Sequence, residues 1–222
     1  CFQRGGVAQR HHADEALAVT PGHVELATLW LRAAGMTLLE GDASAELAVR
    51  VTSQAKRMGA RDQDLAWITL SSSVAMKNDR LAERLVKEYA PIADRSVDCL
   101  FALGAARDLY GDPTAAEDFA RVAIAGGEFS SAARFRRART LCFSELWDEA
   151  EVELRRAPDC PEAALFRDAL GLVRHRTKPT SVTIPMASDL PRSLRPLGYA
   201  LLTCVDHDLM GIDAALSDVA SS

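Results

Sequence analysis

Alanine recurs along this chain at a fixed interval. Ala48, Ala82, Ala116 and Ala150 stand 34 residues apart, and seven residues after each comes a second column, Ala55, Tyr89, Ala123 and Ala157, small in three of its four members. With 38 alanines in 222 residues, two such columns would coincide by chance in about one sequence in two thousand at a pre-chosen period. Positions seven apart share one face of a helix. Each column therefore marks a close helix crossing, near the short end of the roughly 8 to 10 Å interaxial range, where a larger side chain would overpack the contact. A chain with this period folds as stacked small units, none of which can cover its own apolar face.

Breaker clusters delimit the helices. Wide apolar faces run through His23–Leu39, Ala43–Met58, Asp62–Ala75, Asp79–Ala90, Ser96–Tyr110, Pro113–Ala125, Ser130–Phe143, Trp147–Arg156 and Glu162–Arg174. Between them lie turn signals such as Gly41-Asp42, Gly59-Ala60-Arg61, Lys77-Asn78-Asp79, Gly111-Asp112-Pro113 and Ala157-Pro158-Asp159. In Gly111-Asp112-Pro113 a helix stop meets a cap and a proline at the first helical position. Links this short give antiparallel hairpins, and no strand is expected among them.

Within Val97–Glu128, the residues Leu100, Leu103, Gly104, Ala116 and Ala123 occupy the spacing of the small and apolar signature of the tetratricopeptide repeat. The chain resembles that family from Leu29 to Arg174. The resemblance implies an all-α fold, a right-handed superhelical array of antiparallel helix pairs with its repeats in residues 22–174. Arg134 and Arg137 stand where the family carries apolar residues, which predicts a rotated or one-residue-shifted first helix in the fourth repeat.

Flanking the array, Val7–Thr20 reads as one helix ended by Pro21-Gly22. After Arg174 the period lapses, with Ile184 where the next alanine would fall. Residues 175–188 read as an extended linker and 189–222 as C-terminal capping helices, the last with Leu209, Ile212, Leu216 and Val219 on one stripe. Residues 1–222 thus read as one solenoid domain. The Cys-Phe start points to a fragment of a larger chain or, alternatively, to a mature lipoprotein beginning at a lipid-modified Cys1.

Composition narrows the function. Lys+Arg 26 against Asp+Glu 31, a formal charge of −5, gives no concentrated basic surface, so no direct nucleic-acid contact is expected. No apolar run approaches the roughly 20 residues of a membrane span. Cys1, Cys99, Cys142, Cys160 and Cys204, odd in number and without a C-x-x-C pair, read as reduced thiols of a cytoplasmic protein. The motifs for nucleotide binding, metalloprotease and serine-hydrolase chemistry are missing. His11-His12 reads as a solvated pair and Asp206-His207-Asp208 as helix capping, so no catalytic residue, cofactor or metal is expected. The arginines of residues 133–139 read as a solvated face in preference to a site for an anion or an acidic partner.

A stacked array turns the first helix of each pair to its concave side. In that register Trp67, Phe101 and Phe135 are 34 apart, Trp30 lies one turn away in the preceding repeat, and Glu40, Asp64, Ser71, Asp98, Asp108 and Arg139 come toward the groove. Such aromatics either pack against the neighbouring helix or stack on a ligand, and with carboxylates and a guanidinium nearby the second reading suits a sugar. The family's clamp for a partner's C-terminal carboxylate is not matched by Ala33, Thr37 and Asp98. The whole resembles the superhelical sensor region of LuxR-type, maltose-regulator-like ATPase transcription regulators. That resemblance implies a small effector, such as a sugar, held by Trp30, Trp67, Phe101, Phe135, Asp64, Asp98 and Arg139, with other domains of the parent chain as partners. The alternative is a scaffold of the tetratricopeptide type that takes a peptide segment.

Overall fold

The computed structural model describes residues 24–39, 43–157 and 160–175. Among these, all regular structure is helical: α1 (Val24–Leu39), α2 (Ala45–Arg57), α3 (Asp62–Ala75), α4 (Asp79–Ala93), α5 (Val97–Leu109), α6 (Ala115–Ala125), α7 (Ser130–Phe143), α8 (Trp147–Arg155) and α9 (Pro161–His175). The expected segments at 7–20, 176–188 and 189–222 lie outside the described residues. α9 continues through His175, one residue into the expected linker.

The boundaries follow from local chemistry. Ser44 accepts a hydrogen bond from the Leu47 N–H and Asn78 from the Leu81 N–H, which satisfies an orphan donor at the start of α2 and of α4. Asp112 accepts from the Thr114 N–H two residues on, in the turn ahead of α6. These three acceptors stand at 34-residue intervals. So do the residues that end the helices before α4, α6 and α8: Lys77, Gly111 and Glu145 hold φ of 49°, 78° and 61°. At each, its own N–H and that of the next residue fold back onto the last turn, as those of Lys77 and Asn78 do onto the Val74 and Ser73 carbonyls. Only Gly111 adopts that left-handed backbone without steric cost.

Two expected boundaries shift. Pro113 is not the first residue of α6; Pro113 and Thr114 form a tight turn and the helix begins at Ala115. α4 runs past Pro91 to Ala93 instead of stopping at Ala90, since the proline forfeits one hydrogen bond in the last turn while Ala93 beyond it is fully buried.

Packing is sequential. Each of α2 to α9 rests on the helix before it, α1 and α2 only lightly, and in addition α1 packs along α3 and α3 along α5. Ala48, Ala82 and Ala150 are fully buried, and so, in their column, are Ala55 and Ala157. Ala116 departs from the pattern: it is half-buried, and its neighbour Ala115 takes the fully buried place. At α7 the long row of alternate helices breaks, for α5 and α7 touch only slightly. The apolar core divides there too. One cluster runs from Trp30 through Phe129 to Ala133, the other from Phe135 to Leu170 across α7, α8 and α9.

Candidate functional site

The aromatic residues expected to line a groove lie inside the core. Trp30, Trp67, Phe101 and Phe135 are 5%, 3%, 0% and 9% exposed. Trp67 donates its indole N–H to the Leu31 carbonyl at 3.1 Å, locking α3 to α1. Phe129, which the sequence reading did not single out, explains the closure. It leads into α7 and sits 5.9 Å from the Trp67 ring and 5.0 Å from that of Phe101. Phe119 of α6 covers Phe101 from another side at 5.7 Å, and Phe166 of α9 meets Phe135 at 5.2 Å. Edge-on and tilted ring pairs of this kind add about 0.5 to 1.5 kcal/mol beyond burial. The column is therefore a packed seam, the first of the two readings left open by the sequence, because the chain entering α7 fills the space beside it.

The three polar candidates separate into two places. Asp64 and Asp98 lie in the first turns of α3 and α5. Asp64 pairs with exposed Arg61 at 2.9 Å, and Asp98 with Arg32 of α1 at 3.3 Å. Arg32 also holds Glu128 at 2.5 Å and lies 6.0 Å from the Phe129 ring. Burial pushes the Asp98 carboxyl above the usual carboxylate range; Arg32 opposes this, while Glu128 and Asp64 add to it. Arg139 sits far from these, in the second half of α7, paired with Asp108 of α5.

Around Arg139 lies a cleft of about 300 Å³. Val74 of α3 and Ala105, Asp108 and Leu109 of α5 form one wall, and Arg136, Arg139 and Phe143 of α7 the other. It occupies the seam where α5 and α7 part. What joins the helices there is polar: Asp108 accepts from Arg139 through one oxygen and from the Thr140 hydroxyl, at 3.0 Å, through the other. Arg136 stacks 5.4 Å from the Phe101 ring centre and donates to the Leu39 carbonyl at 3.1 Å, capping the C-terminal end of α1, whose last turn has no basic residue of its own. Burial, with Arg139 close by, draws the Arg136 guanidinium down to about 10.

The arginine cluster is consequently not a solvated face. Arg134 and Arg137 converge on Glu153 of α8, at 3.1 and 2.6 Å, and that carboxylate is 2% exposed. These two arginines, at positions where the resemblance led to apolar residues being expected, are accommodated by a buried acid on the next helix. Cys99 and Cys142 are free thiols, whereas Cys160 is disulfide-bonded, so the expectation of five reduced cysteines does not hold at that position. No group of His, Cys, Asp and Glu among the described residues could hold a metal, and no described helix is long and apolar enough to cross a membrane. Compared with known proteins, the chain matches no family model, no curated protein and no solved structure.

Proposed function

We propose that this chain is the ligand-sensing helical-repeat domain of a transcription regulator, of the kind its sequence resembles, and that a small effector enters between α5 and α7. The observation that carries this reading is the divided core. The two apolar clusters divide within α7, and a cleft of ligand size lies where α7 parts from α5. A molecule bound there touches α5 and α7 at once, and it shifts the balance between arrangements of the two helices if it fits one better than another. The aromatic seam, being buried, lends no support to sugar stacking, so the effector class is left to the cleft.

A thermal-shift screen of sugars and small organic acids tests the proposal, because an effector at 100 times its dissociation constant stabilises by about 2.7 kcal/mol. A hit is expected to alter amide exchange on both α5 and α7. The second reading, a scaffold for a peptide segment, draws on Phe143, Leu146 and Trp147, which are 81%, 44% and 38% exposed around the α7–α8 turn. Capture of a peptide by that turn, with no small molecule shifting the melt, reverses the order.

A further inference from the structure

We infer that the α5–α7 cleft is a site for a small monocarboxylate with an apolar body. The inference rests on the effector reading above and names its ligand class. Two guanidiniums, of Arg136 and Arg139, line the cleft against the single carboxylate of Asp108. Both Asp108 oxygens are already engaged, by Arg139 and by Thr140. Arg136 has no carboxylate within 4.0 Å among the described residues; its one hydrogen bond goes to a backbone carbonyl, Leu39 O. The Nε–H of Arg139 is buried without an acceptor. Among its lining residues the cleft therefore holds more donors than acceptors and two guanidiniums to one carboxylate.

An anion with two oxygens restores both balances, since a planar carboxylate matches the guanidinium fork. A single negative charge suffices to cancel the excess, and a second would meet Asp108 unopposed. Val74, Leu109 and the exposed ring of Phe143 supply the apolar remainder of the wall. The volume suits a compact molecule of this kind. Burial and the neighbouring Arg139 draw the Arg136 guanidinium down, while Asp108 and Glu162 pull it the other way.

Calorimetric titration of the full chain with benzoate and phenylacetate, beside the neutral isostere benzamide and the dianion phenyl phosphate, tests the site. Either carboxylate is expected to bind at least tenfold tighter than benzamide and than phenyl phosphate. Phe143→Glu, a change at an exposed position that brings a like charge to the mouth, is expected to weaken that carboxylate at least tenfold with an unchanged melting temperature. Arg136→Met is expected to erase the preference over benzamide; if that variant does not fold, Phe143→Glu decides. Equal binding of acid and amide, no binding of either acid, tighter binding of the dianion, or indifference to Phe143→Glu overturns the proposal. If the acids fail while a sugar changes exchange on α5 and α7, the effector reading survives without this ligand class. If an acid binds and exchange on α5 and α7 stays the same, the site stands and the effector reading falls.

Discussion

Three guanidiniums meet on one buried acid at Glu153: Arg134 and Arg137 from α7, and Arg156 beyond the end of α8 at 3.5 Å. Glu153→Ala leaves the two α7 arginines facing each other without a counter-charge. Because their side chains are 23% and 31% exposed, water offsets part of the loss, and we expect a cost of about 1 to 3 kcal/mol, below that of a fully buried pair. Arg156→Ala, at 61% exposed, should cost under about 0.5 kcal/mol; urea denaturation of the two variants checks the contrast. Cys99 gives a pH signature. Its thiol, hydrogen-bonded to the Gln63 carbonyl, is pushed from 9.0 up to about 11, chiefly by burial. The unfolded chain surrenders that proton first, so the stability is whole below pH 9 and erodes as pH rises toward 11, by about 2 to 3 kcal/mol in all. Cys99→Ala should flatten that fall in the urea midpoint between about pH 8 and about pH 11.

Helices α1 and α3 approach closely because Gly35 has no side chain. A Cβ there would fall inside the indole of Trp67. Gly35→Ala would gain about 1 kcal/mol of helix propensity and lose about 1 to 3 kcal/mol to overpacking, with the Trp67–Leu31 hydrogen bond strained as well. Net destabilisation is expected, and a raised melting temperature would contradict the close approach. At this scale much was readable beforehand. α3 and α7 begin and end where periodicity and breakers put them, since apolar faces and cap residues are local signals. The left-handed stops at Lys77 and Glu145 were hidden, because their side chains advertise nothing of the backbone they adopt. Ala116 misled for a related reason: a spacing locates a crossing to within a residue, and the turn at Pro113-Thr114 decides whether Ala115 or Ala116 faces inward.

Across the whole molecule the division of the core sets the order of opening. α9 is supported by α8, and both belong to the smaller cluster, whereas α3 and α5 are enclosed on several sides. Native-state hydrogen exchange should find amides of α8 and α9 opening at lower free energy than those of α3 and α5; a single shared value would mean one cooperative unit. Long-range closure is also what the sequence concealed about the site. Trp67 and Phe101 carried the right spacing for a row, but whether the row faces water depends on Phe129, which arrives from another turn, and on Arg136, which reaches a carbonyl 97 residues away. That last bond bears on biosynthesis. A nascent chain leaving the ribosome exposes the Leu39 carbonyl long before its guanidinium is translated, so the first helices assemble with a frayed end that only later polypeptide can seal. Truncation ahead of residue 136 would keep most of the early helices and still leave that terminus open.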